Sequence, residues 1–166
     1  MTIQLWQLNT LSREMFVAQL GSVFERSPWV AESVWQLRPF HSVNELHEAM
    51  MQAVMEAPEE KAIALLRAHP DLASRAAMTT DSIEEQRPAG LDALTPEEYD
   101  RFASLNAAYA EKHGFPFIIA VRGKTIEDIL AAMAMRLQHD GQRELRQALL
   151  EAGRIAELRL HGRIEE

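Results

Sequence analysis

His69 stands in the run "LLRAHPDLASRAAM" (65–78), directly before Pro70. An imidazole titrates near pH 6.5, so it can accept or release a proton around neutrality. Pro70 stops the helical pattern at this histidine and restricts the chain beyond it. The pattern is expected to resume after Asp71. Two uses fit the position: a cation at the negative end of a helix dipole, or a general acid/base.

A second group lies in "DSIEEQ" (81–86). On a helical turn Ser82, Glu85 and Gln86 fall at i, i+3 and i+4 and share one face. The arrangement suits a capping box from Ser82 to Glu85. It equally offers a hydroxyl, a carboxylate and an amide as a polar wall for a small, hydrogen-bond-rich ligand. The third stretch is "GFPFIIAVRG" (114–123), bounded by glycines and rich in β-branched and aromatic residues. It reads as an extended piece. If it is not paired into a sheet, its backbone can bind a flat heterocycle, with Arg122 holding a carboxylate or a ureido carbonyl. A buried apolar connector with a solvated arginine fits as well.

Other candidates carry less. His41 and His47 are six apart, not the i, i+4 spacing of a helical zinc site. His113, His139 and His161 fall near glycines at expected helix ends, where a cation is favoured. "AVRGKT" lacks the first glycine of a phosphate-binding loop. Methionines 50, 51, 55, 133 and 135 read as core filler.

The elements that must position these residues are helices. Residues 12–26 form the first, and "SPWVAESVWQLRPF" (27–40) a short helix or irregular turn. Ser42 and Glu45 make a capping box for the next helix, and Pro58 opens another that ends at His69. Thr95 and Glu98 are a second capping box. Their helix presents Tyr99, Phe102, Leu105, Asn106 and Tyr109 on one face and stops at Gly114. Thr125 caps a helix toward residue 140. A last helix covers about 142–161, with Leu145, Leu149, Ile155 and Leu158 as its stripe. Residues 78–94 are not helical by pattern. The expected fold is therefore all-α: a single-domain helical bundle over residues 1–166, with one short extended connector at about 116–121.

The chain has 166 residues, no cysteine, and 17 basic against 25 acidic residues, for a net charge of −8. Thiolate chemistry is thereby excluded, and a phosphate-neutralising stripe is missing, which argues against nucleic acid. The start lacks a basic-then-apolar leader pattern. No apolar run approaches the roughly 20 residues that span a bilayer. A cytoplasmic protein with no membrane or nucleic-acid partner is expected.

"AHPDLA" (68–73), "DSIEEQ" followed by "AGLDALTPEEYDRFASLNAAYAEKHGFPFIIAVRG" (89–123), and "RIAELRL" (154–160) together resemble the 2-oxo-4-hydroxy-4-carboxy-5-ureidoimidazoline (OHCU) decarboxylases. The similarity follows the family's order and spacing over nearly the whole chain. It implies an all-helical enzyme, usually a homodimer, with no cofactor and no metal, acting on a ureidoimidazoline and releasing (S)-allantoin. It also implies His69 as the catalytic histidine, and the need to protonate C5 from one face makes Glu85 the second catalytic candidate, beside His69 through its conjugate acid. Substrate contacts would come from Pro70, Ser82, Ile83, Glu84, Gln86, Phe117, Ile118, Ile119, Ala120, Val121 and Arg122. Glu84 beside Glu85 leaves open which carboxylate faces the pocket. Against this stand a non-enzymatic helical interaction module and a hydrolase of cyclic ureides.

Overall fold

Side-chain caps set several helix starts in the computed structural model, which describes residues 1–73 and 80–166. The chain divides into two compact units, Met1–Ala68 with Ala152–Glu166, and His69–Glu151.

The first unit holds β1 (Ile3–Gln4), α1 (Leu5–Leu8), α2 (Arg13–Leu20), α3 (Trp29–Val34), α4 (Val43–Glu56) and α5 (Glu59–Arg67). Ser12 accepts from the Met15 amide and starts α2, which ends at Leu20 rather than running on to residue 26. Gly21 caps it, and a Cβ there would press on the Val17 carbonyl. Ser42 accepts from the Glu45 amide at 3.0 Å. The Glu45 carboxylate turns instead to the His41 amide at 2.7 Å, so the expected box closes on only one side. Pro58 stands just outside α5 as its N-cap.

Phe16, Leu20, Phe24, Val34, Leu46, Met50 and Leu66 are among this unit's buried residues. Two polar ties accompany them. Arg159 meets Glu25 at 2.9 Å as a buried ion pair, and His47 Nε2 lies 2.8 Å from the Gly153 carbonyl. The C-terminal residues Ile164–Glu165 (β2) run parallel to β1, Ile3 opposite Ile164 and Gln4 opposite Glu165. That two-residue ladder is the only sheet among the described residues. The sequence pattern did not signal it.

The second unit holds α6 (Thr80–Gln86), a 3-10 turn at Arg87–Ala89, α7 (Pro96–His113), α8 (Ile126–Leu137) and the first part of α9 (Gly141–Arg163). The Thr95–Glu98 capping box is complete and α7 stops at Gly114, whose φ of 80° is the left-handed conformation glycine adopts at no steric cost. Thr125 and Asp128 form a matching box for α8. The carboxyl of Asp128 is held below its usual range, first by its bond from the Thr125 amide. Helix α8 ends at Leu137, three residues before the expected limit.

Residues 115–121 adopt neither helix nor strand, as expected of an extended connector. Among the described residues no helix is long and apolar enough to cross a membrane. The architecture is all-α.

The buried face of α9 departs from its predicted stripe. Leu149 is buried, but Leu145 and Ile155 are half-buried and Leu158 is exposed. Glu144, Glu151 and Arg159 occupy the interior instead. Helix α6 is a second departure, since residues 80–86 had no helical pattern. Its existence also removes the capping-box reading of Ser82, which is the third residue of the helix rather than its cap.

Candidate active site

Helix α5 finishes at Arg67 with Ala68 as its C-cap, so His69 lies just past the cap, not on the last turn. It is buried, with 9% of its surface exposed. Pro70 is half-buried and Asp71 exposed. Leu72 and Ala73 form a buried turn, and Ala73 takes a φ of 59°. The helix expected after Asp71 falls largely on 74–79, outside the described residues.

Two side chains hold this turn. The Ala73 amide donates to Gln86 Oε1 at 3.1 Å, and Asn106 Nδ2 donates to the Leu72 carbonyl at 3.0 Å. The first bond joins the histidine's loop to α6. On that helix Ser82 and Gln86 are buried at 3% and 7% exposure, Glu85 is half-buried, and Ile83 and Glu84 are exposed. Of the two carboxylates, Glu85 is therefore the one on the shielded side.

The 115–121 segment is held from further along the same half of α7. Tyr109 sits one turn beyond Asn106, and its ring meets Phe117 edge-on at 5.3 Å and Phe115 at 6.0 Å. The Arg136 guanidinium lies over the Phe117 ring at 4.3 Å. It donates from Nη1 to the Ile118 carbonyl at 2.7 Å and from Nε to Glu144 at 2.7 Å. Tyr109 donates to the same Glu144 carboxylate at 3.2 Å. Burial first, then the Glu144 charge, pushes the Tyr109 phenol far above its usual value. It is a neutral donor throughout the physiological range.

Further along, Glu151 accepts from the Ala120 amide at 3.4 Å. Lys124 donates to the Ala120 carbonyl from Nζ at 2.8 Å and to the Val121 carbonyl from its amide at 3.0 Å. Phe117, Ile118, Ile119, Ala120 and Val121 are all buried, whereas Arg122 is exposed where the chain turns at Gly123. The side chain of Phe117 is thus core. A ligand role for this stretch would fall to backbone groups other than those these bonds engage; among the described residues none of the bonds involves the Ile119 amide or carbonyl.

One helix accordingly serves two of the sequence motifs. Asn106 touches the histidine's loop and Tyr109 touches the extended segment. Sequence reasoning put both on one face of α7 without seeing what they hold. It also missed the Arg136–Glu144 pair, whose members are eight apart across a helix break and carry no local signal.

Comparison with known proteins decides the family. A model described as OHCU decarboxylase matches residues 9–161. The chain belongs to the OHCU decarboxylase family. It is an enzyme, a carboxy-lyase, which sets aside the non-enzymatic interaction module. The OHCU decarboxylase of Haloferax volcanii is 48% identical over 158 residues, covering 95% of this chain and 94% of that one. The bifunctional uric acid degradation protein PucL of Bacillus subtilis is 43% identical, with 96% of this chain matching 32% of its length. A crystal structure of (S)-allantoin synthase superposes with a TM-score of 0.80 at 32% identity, over 98% of this chain and 54% of that one. An OHCU decarboxylase crystallised in the presence of (S)-allantoin shares the fold, with a TM-score of 0.69 at 20% identity, over 92% and 97% of the two chains.

Proposed function

We propose that this protein converts OHCU to (S)-allantoin in urate catabolism, without a cofactor, as a cytoplasmic homodimer. His69 acts as the catalytic acid/base and Glu85 as the donor that sets the configuration at C5. What supports the site is the bond from the Ala73 amide to Gln86, which ties the helix of Ser82 and Glu85 to the loop of His69.

The substrate bears a hydroxyl and a carboxylate on C4, next to a C5=N imine. When the C4–carboxylate bond breaks, its electron pair becomes a C4=C5 double bond and the imine π pair moves to nitrogen, which takes a proton. The substrate therefore contains its own electron sink. The resulting enaminol loses its hydroxyl proton to become the C4 carbonyl, and the C4=C5 pair takes a proton at C5. One CO2 leaves and one proton is consumed.

In this scheme His69 orients the hydroxyl and carboxylate and receives the hydroxyl proton. Glu85 delivers a proton to C5 from one face. Pro70, Ile83 and Glu84 line the approach. Ser82, Arg122 and backbone groups of 117–121 hold the ring and ureido group, where pre-orientation lowers the barrier. Gln86 spends its carbonyl oxygen on Ala73, so its contribution to substrate is the Nε2 donor.

His69→Ala and Glu85→Ala test the assignment, with OHCU loss and the allantoin signal followed by circular dichroism. His69→Ala should lose at least about 100-fold in kcat, the lower range for a general acid/base. Glu85→Ala should lower optical purity as well as rate. Near-wild-type rate with optically pure product in His69→Ala overturns the reading. Sedimentation of the wild-type protein tests the dimer.

A further inference from the structure

We infer that Asn106 is a positioning residue for His69, acting through a single clamped peptide; this rests on the catalytic reading of His69 above. The Leu72 carbonyl and the Ala73 amide are the two ends of one peptide unit. Asn106 from α7 holds the carbonyl and Gln86 from α6 holds the N–H. A carbonyl accepts and an N–H donates, so both side-chain amides have their orientation dictated by that one plane.

All the groups involved are buried. Asn106 is 8% exposed, Gln86 7%, Leu72 6% and Ala73 7%. Asn106 donates to Leu72, and among the described residues its shielded Oδ1 has no hydrogen-bond partner. A buried amide whose oxygen is left unsatisfied is costly in a core. What it gains in return at this position is the grip on Leu72.

The clamp lies where the chain most needs one. Ala73 holds a φ of 59°, a conformation that a residue with a Cβ keeps only when its surroundings impose it. Only two residues, Pro70 and Asp71, separate Leu72 from His69, and the φ of Pro70 is fixed by its ring. A freed Leu72–Ala73 peptide could rotate, and the imidazole would shift with it. A displacement of about 1 Å can cost on the order of 100-fold in rate.

Asn106→Asp preserves shape and removes the donor. Measured alongside His69→Ala and the double variant, it should lower kcat by about 10- to 100-fold with KM within about twofold of wild type. That loss should vanish in the His69→Ala background, because an absent imidazole cannot be mispositioned. Wild-type kcat in Asn106→Asp, with His69→Ala inactive, overturns the clamp. So does an equal fractional loss in both backgrounds, which marks a merely structural role. A fully active His69→Ala overturns the catalytic reading instead.

A measurement on the wild-type protein keeps the test open if the variant does not fold. The Ala73 amide should be protected from hydrogen exchange to the level of the helix amides of α7. Exchange at the rate of an open loop overturns the clamp.

Discussion

His113 closes α7, the place where a charged histidine would favour the dipole, yet burial works against it. Both ring nitrogens are shielded from solvent, and among the described residues neither has a partner within normal hydrogen-bond geometry. The ring lies 4.5 Å from Tyr109 and 6.1 Å from Phe115, centroid to centroid. Burial, opposed in part by the Glu144 charge, holds its pKa below the ordinary value of 6.5. The unfolded chain then binds a proton at higher pH than the native one, so stability is fully present above about pH 6.5 and falls as pH drops toward the native value. Urea midpoints between pH 7.5 and 5.5 should decline more steeply for wild type than for His113→Phe. Equal slopes would show that another group carries the acid sensitivity. The position of His113 was legible in the sequence, but its protonation state was not. Helix position is local, whereas burial depends on rings that fold onto it.

At the scale of elements, α8 and the start of α9 are joined by a buried charge pair, Arg136 with Glu144. Removing one member of such a pair typically costs about 3–5 kcal/mol, because the other is left uncompensated. Arg136→Met should lose about that much by denaturant unfolding. Its surviving activity should fall further, since Ile118 loses the donor that fixes its carbonyl. A loss below about 1 kcal/mol would show the pair to be dispensable. Elements with caps could be read directly: Thr95, Thr125 and Gly114 mark their helices by chemistry within four residues. Helix α6 could not. Its buried residues are Ser82 and Gln86, while Ile83, the apolar one, is exposed. Apolar periodicity finds helices that bury an oily stripe; a helix that turns polar groups inward leaves no such trace. The same inversion in α9, with Glu144, Glu151 and Arg159 inside, explains its misplaced stripe. The candidate site was legible from motif resemblance in those same polar residues, but not from hydrophobic pattern.

For the molecule as a whole, every site residue identified from sequence lies in the unit His69–Glu151. Allantoin, as proposed product, should stabilise the protein by about 2.7 kcal/mol at roughly 100 times its dissociation constant. Slowed hydrogen exchange should concentrate in residues 80–151 of that unit. No thermal shift, or protection confined to Met1–Ala68, would count against the site. Helix α7 has one more consequence. Asn106 and Tyr109 are three residues apart, about 4.5 Å along the axis, and each grips a different loop. Substitutions between them leave that spacing intact. One inserted residue would instead swing Tyr109 through about 100°, and one loop would lose its hold whatever side chain was added. The stretch between positions 106 and 109 is therefore a fixed measure in which chain length, more than residue identity, is under constraint.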